Sequence, residues 1–180
     1  MTAIGSRAPW AVVALALLAG ACSLLQEEDV GPVACPEVLL VADAATVNEY
    51  REGGGRDLTD VRFSAQLVDT SWVCAYDDDG MVDVEITIAM TAARGPAADT
   101  ATAMFEYFVV LADTKQDILA KQVFTLPVTF EGNVNAVAFQ RVVGTTFYVG
   151  KDTTGSKHRI YIGFEVTKEQ LEDNRGSLGG

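Results

Sequence analysis

Apolar and polar residues alternate with a period of two through most of the chain between residues 61 and 166. Val61, Phe63, Ala65 and Leu67 interleave with Arg62, Ser64 and Gln66, the pattern of a strand with one buried and one wet face. Trp72 to Tyr76 reads as a second strand carrying Cys74 toward the core. Asp77-Asp78-Asp79-Gly80 reads as the hairpin turn after it, with Gly80 free to take positive φ. Val82, Val84, Ile86, Ile88 and Met90 alternate with Asp83, Glu85, Thr87 and Ala89 in the longest predicted strand, which ends at Arg94-Gly95-Pro96. Phe105, Tyr107, Val109 and Leu111 form the next, turning at Asp113 to Asp117. Ile118 to Phe130 is extended, but Pro127 cannot donate to a ladder, so the stretch is expected to be an edge strand or two short ones. After a turn at Glu131-Gly132-Asn133, Ala136 to Val143 is a strand and Thr145 to Val149 is ambiguous; Ile160, Ile162, Phe164 and Val166 define the last strand.

The flanking segments follow other patterns. Glu37 to Val41 reads as a short first strand, and Asp43 is placed to cap one or two helical turns through Tyr50, ended by Gly53-Gly54-Gly55. That triplet completes neither GxxxxGK[ST] nor GxGxxG, so it reads as a turn rather than a phosphate loop. Thr167-Lys168-Glu169-Gln170 fits a capping box that opens a short C-terminal helix, with residues 176–180 a frayed tail. About seven to eight strands, punctuated by turns, predict an all-β fold: an antiparallel β-sandwich of immunoglobulin-like type over residues 35–175. A small β-barrel is the alternative.

The N-terminal segment changes the picture of where this domain resides. Arg7 and the amino terminus supply weak positive charge, Trp10 to Ala19 is uninterrupted and apolar, and Gly20-Ala21 offers a small-residue cleavage site. Ten apolar residues at about 1.5 Å each reach only half of a roughly 30 Å hydrocarbon core, which argues for a removed signal peptide over residues 1–21 rather than a span. Leu18-Ala19-Gly20-Ala21-Cys22 resembles the lipobox of bacterial lipoprotein precursors, with Ala19 where a bulky aliphatic residue is usual. The resemblance implies a diacylglyceryl group and further acylation on Cys22, enough for stable membrane anchoring. Ser23 in place of aspartate implies the outer membrane, with the domain facing the periplasm. Residues 22–34, with the acidic run Gln26-Glu27-Glu28-Asp29 and the breaker Gly31-Pro32, read as a flexible tether.

Charge and cysteines sharpen the compartment. Without Arg7 the chain keeps 12 Lys and Arg against 25 Asp and Glu, a balance that nucleic acid would repel. Setting Cys22 aside leaves Cys35 and Cys74 to pair in an oxidising setting. Closing a loop of that size stabilises a fold by roughly 4 kcal/mol in the chain-entropy account.

Candidate chemistry is sparse. His158, the one histidine, falls in the polar turn Thr153 to Arg159, and a solvated surface role fits it better than catalysis; no GxSxG elbow accompanies it. Asp57/Asp60 and Asp77/Asp79 lie in turns, where carboxylates cap backbone groups. Asp77, Asp79 and Asp83 form an incomplete calcium candidate, because Ala75 stands where an EF-type loop needs its first ligand. The expectation is therefore no catalytic residues, no metal and no cofactor beyond the lipid on Cys22.

Gly55-Arg56-Asp57-Leu58-Thr59-Asp60-Val61, Arg94-Gly95-Pro96-Ala97-Ala98 and the Cys35-Pro36 pair resemble stretches of alphaproteobacterial lipoproteins with no assigned function. That resemblance implies a compartment and a domain type, and transfers no active site. Arg56 and Arg94 are placed to pair with acids such as Asp57 or Asp60 and lock loops together. The expected role is non-enzymatic: a lipid-anchored periplasmic domain held to the membrane through Cys22, acting through contacts with an envelope protein partner. A module that binds a small ligand, cation or glycan through acidic loops or exposed Tyr107, Tyr148 or Tyr161 is the alternative.

Overall fold

The computed structural model describes residues 34–151 and 154–178, the side chains of 177 and 178 excepted. The signal segment, Cys22 and the tether through residue 33 lie outside the described residues.

Alternation translates into eight strands: β1 (Glu37–Leu40), β2 (Thr46–Tyr50), β3 (Val61–Tyr76), β4 (Met81–Arg94), β5 (Thr102–Asp113), β6 (Ile118–Thr129), β7 (Ala136–Tyr148) and β8 (His158–Phe164). One helix, α1 (Lys168–Leu178), follows. The strands form two four-stranded sheets, ordered β1-β8-β5-β6 and β2-β3-β4-β7. Only β1 on β8 is parallel; every other pairing is antiparallel. The chain changes sheet after β1, β4, β6 and β7, and because β4 pairs with β7 and β5 with β8, two crossings run side by side. The result is a β-sandwich, the architecture that immunoglobulin-like domains share, rather than a closed barrel.

Burial follows the period of two. Val82, Val84, Ile86, Ile88, Met90 and Ala92 of β4 are at most 3% exposed, while Asp83 and Glu85 between them face solvent. Facing residues from the other sheet, Phe105, Leu126, Ile160, Ile162 and Phe164, complete the core. Phe63 stacks on Phe130 with ring centroids 5.9 Å apart, and Phe105 tilts against Phe164 at 6.1 Å. Fully burying each such side chain contributes about 1.5–3 kcal/mol.

Several local expectations are corrected. The segment expected to be helical through Tyr50 is a 3-10 turn at Ala42–Ala44 followed by β2. Val47 is buried, and antiparallel pairing of Thr46–Tyr50 with β3 outweighs whatever local helical preference the stretch has. Asp43 lies inside that turn rather than capping it, and its carboxylate accepts a bond from Arg175 Nε at 2.7 Å. The two strands expected in 61–76 are one, β3, kept in register with β4 by a bulge between Leu67 and Asp69. Residues 136–148 likewise form one strand. Pro127 sits within β6, at the edge of its sheet, where one flank needs no ladder. The capping box closes as expected: Gln170 N–H donates to Thr167 Oγ1 at 3.2 Å, and Thr167 N–H to Gln170 Oε1 at 2.8 Å. The helix continues past Gly176 to Leu178, because Asn174 and Arg175 tie its last turns to residues 43–46.

Candidate functional site

Cys35, just before β1, is bonded to Cys74 of β3 with a Cα separation of 5.8 Å, so the bridge joins the two sheets. Tyr76 reinforces the junction by donating to Ala34 O at 2.8 Å and accepting from Gly155 N–H at 2.6 Å. The pairing registers place the starts of β1, β4, β6 and β8 and the ends of β3, β5 and β7 at this same pole.

The acids singled out by sequence are engaged in local structure. Asp77 Oδ1 accepts from the Asp79 and Met81 N–H groups at 3.0 and 2.9 Å, closing the turn in which Gly80 takes φ 86°. Asp79 lies 3.7 Å from Lys151 Nζ, and Asp83 accepts from the Thr146 hydroxyl on β7. The three carboxylates therefore turn to three different partners. Among the described residues no three His, Cys, Asp or Glu side chains form a group able to hold a metal ion.

Asp57 accepts from the Thr59 hydroxyl and N–H, bonds that hold its carboxyl below the usual range. Asp60 is buried, with Arg51 Nε 2.6 Å from its Oδ1. Gly54 and Gly55 lie against this carboxylate: a Cβ on Gly54 would lie 2.9 Å from Asp60 Oδ1, and one on Gly55 2.8 Å from Oδ2. Arg56, expected to pair within its own loop, instead reaches Asp173 of α1 at 2.6 Å, since Asp60 is already taken by Arg51.

Two ring residues also depart from expectation. His158 is not in a solvated turn but opens β8, its ring centroid 5.0 Å from that of Phe147. Its Nδ1 is buried and has no hydrogen-bond partner among the described residues. Burial pushes its pKa below the ordinary value, with Asp113 opposing. Tyr107, offered as an exposed aromatic, is 3% exposed and stacked on Phe124 at 5.2 Å, because its position on β5 points between the sheets. Tyr161 is half-buried, and Tyr148 is exposed.

What remains open is a flank of the sandwich. Four strands end their sheets: β1, β2, β6 and β7. On one side β2 is covered by α1, whose Gln170 Nε2 donates to Asn48 O at 2.7 Å and whose Asn174 Nδ2 donates to Thr46 O at 2.8 Å. On the other side β6 and β7 lie across from each other. Between them opens a cleft of about 400 Å³, floored by Val109, Leu111 and Ile160 and walled by Gln122, Thr145 and Thr146. Residues 118–123 of β6 are exposed on both faces. Ile118, Leu119 and Val123 of β6 and Val142 and Tyr148 of β7 are each at least half exposed. Neither strand contains Asp or Glu; their formal charges are Lys121 and Arg141. In a chain of net charge −12 this flank is largely apolar and its two edge strands carry no carboxylate of their own, the nearest acids being Asp83 against Thr146 and Glu165 against Lys121. The sequence signal for it was present in the apolar Ile118–Phe130 run with its proline, but which strands are edges is a property of topology.

Comparison of the chain with family models, with curated proteins and with solved structures returns no match.

Proposed function

We propose that this is a lipid-anchored periplasmic β-sandwich of non-enzymatic type, working through protein contacts as an accessory subunit of a cell-envelope complex. Its anchor is the lipid on Cys22 within the lipobox-like segment, and its address is the outer membrane. The observation that carries the contact role is the β6–β7 flank. Exposed aliphatics there lie beside two strand edges with unused main-chain hydrogen-bonding capacity, the chemistry by which sheets recruit a further strand. The acidic groups elsewhere serve turns and ion pairs, which favours contact over ligand capture.

The test is fractionation followed by affinity purification of the tagged full chain from solubilised envelopes. Cys22→Ser moves the protein out of the membrane fraction. Leu119→Asp with Val123→Asp, at side chains 53% and 50% exposed, keeps the fold while losing the co-purifying envelope protein. Retention of the same partners by the double variant would contradict the contact role of the flank, and unchanged membrane retention of Cys22→Ser would contradict the anchor.

A further inference from the structure

Arginines in this acidic domain mostly hold a carboxylate. Arg51, Arg56, Arg62, Arg159 and Arg175 each pair with one, as Lys121 does with Glu165. Among the described residues Arg94 and Arg141 pair with none. Arg94 ends β4, whereas Arg141 lies in the middle of β7. Arg141 is in register with Ile88, which is fully buried, so the two share the face of their sheet that looks toward the other sheet. Because β7 is an edge, the guanidinium on that face still reaches solvent. It lies over the Phe139 ring, 5.4 Å from its centroid, a contact that holds the planar fork in place.

Tyr107 of β5 faces the same seam from the other sheet. Its side chain is 3% exposed, and its hydroxyl has no hydrogen-bond partner among the described residues. A buried phenol ordinarily finds a partner, and one left unpaired costs folding free energy. Burial raises the Tyr107 pKa and the charge of Arg141 opposes the rise, so the two groups act on each other across the seam. Hollows open on either side of them. One is the cleft of about 400 Å³ floored by Val109, Leu111 and Ile160. The other, about 230 Å³, is lined by Pro127, Thr129, Val137, Phe139 and Arg141 itself. The registers place Val109 and Leu111 after Tyr107 on one face of β5, and Val143 and Thr145 after Arg141 on one face of β7. At about 3.3 Å per residue the floor runs roughly 13 Å from Tyr107 to Leu111.

We infer that the seam between β6 and β7 binds a monocarboxylate with an apolar tail, its carboxylate on the Arg141 guanidinium and the Tyr107 hydroxyl and its tail along Val109, Leu111 and Ile160. The inference goes beyond the contact reading, which uses edge residues such as Leu119 and Val123 and leaves the inner seam unassigned. A guanidinium presents paired N–H donors that match the two oxygens of a carboxylate, and the Tyr107 O–H donates to the same group. A single fixed cation suits a single negative charge, since a chain of net charge −12 repels anions and the more so the higher their charge. The tail offsets that repulsion by taking apolar surface out of water. Neighbouring acids do not compete for Arg141. Asp83 and Glu85 alternate with buried Val84 and Ile86, which puts them on the outer face of their sheet, and Asp83 is engaged by Thr146. Glu106 likewise alternates with buried Phe105 and Tyr107, and Glu165 holds Lys121.

Calorimetric titration of the detergent-solubilised full chain with octanoate tests this, with 1-octanol as the uncharged probe and one detergent throughout, so that partition into micelles is common to every titration. The wild type is expected to bind octanoate saturably and 1-octanol at least about tenfold more weakly. Arg141→Gln weakens octanoate binding by about tenfold or more and Tyr107→Phe by about threefold, whereas Lys121→Gln on β6 leaves it unchanged. Tyr107→Phe also keeps or raises the thermal midpoint, because the hydroxyl it removes has no partner in the fold. The inference is overturned by an absence of saturable octanoate binding, by equal binding of 1-octanol, or by Arg141→Gln or Tyr107→Phe binding as the wild type does. A loss with Lys121→Gln equal to that with Arg141→Gln, or a lowered midpoint for Tyr107→Phe, overturns it too. If octanoate does not bind while the β6 variants still lose their envelope partner, the seam site falls and the contact reading stands.

Discussion

His158, the first residue of β8, places an imidazole against Phe147 where water does not reach its Nδ1. Its folded-state pKa is depressed by burial, so the native state binds that proton less readily than the unfolded chain does. The contribution is fully present above the unfolded value of about 6.5 and is lost as pH falls through that value toward the depressed one. Thermal midpoints between pH 7.5 and 5 should fall more steeply for the wild type than for His158→Gln. Parallel curves would show that the ring is solvated after all. Other residue-scale features follow the same division between local and tertiary causes. The turn chemistry of Asp77 and Gly80 was legible because it depends on neighbours a few positions away. The reason for Gly54 and Gly55 was not: their missing side chains make room for Asp60, whose burial depends on the folded loop. Tyr107 was misplaced for a related reason, since a tyrosine on an alternating strand faces inward or outward according to a register that its own residue type does not reveal.

At the scale of elements, α1 acts as a cover for β2 rather than as part of the core. Its side-chain amides meet main-chain carbonyls of Asp43, Thr46 and Asn48, three bonds that a polar helix can supply without an apolar face. Gln170→Ala combined with Asn174→Ala removes these three and the capping bond from Thr167 N–H to Gln170 Oε1; with each bond contributing about 0.5–1.5 kcal/mol, unfolding free energy should fall by about 2–6 kcal/mol in urea titration. The same change should speed proteolysis within α1; cleavage at the wild-type rate would mean that the helix is held by something else. The capping box that starts α1 was readable in Thr167 to Gln170. The strand status of Thr46–Tyr50 was not, because a five-residue segment with a single buried side chain draws its conformation from pairing with β3. The same holds for the joins within β3 and β7, where a bulge and a glycine interrupt the pattern without ending the strand.

For the whole molecule, the period of two established the layered β architecture, and the cysteine count anticipated the inter-sheet bridge. Sheet order lay beyond reach. β6 and β7 are consecutive in sequence yet belong to different sheets, and only that arrangement creates a flank bounded by two free edges. The functional reading depends on this flank, since turns and ion pairs account for the acids that sequence first brought forward. Carboxylates occur on β1, β2, β3, β4 and β5, whereas β6, β7 and the interior strand β8 have none, so the two free edges of the flank carry no acid of their own. The most direct measurement places a photoactivatable crosslinker at Leu119 on β6 in living cells, with Leu58, 85% exposed in the loop before β3, as the reference position. The account predicts a discrete crosslinked protein band from Leu119 and none from Leu58; equal crosslinking from the two positions, or none from Leu119, would contradict it.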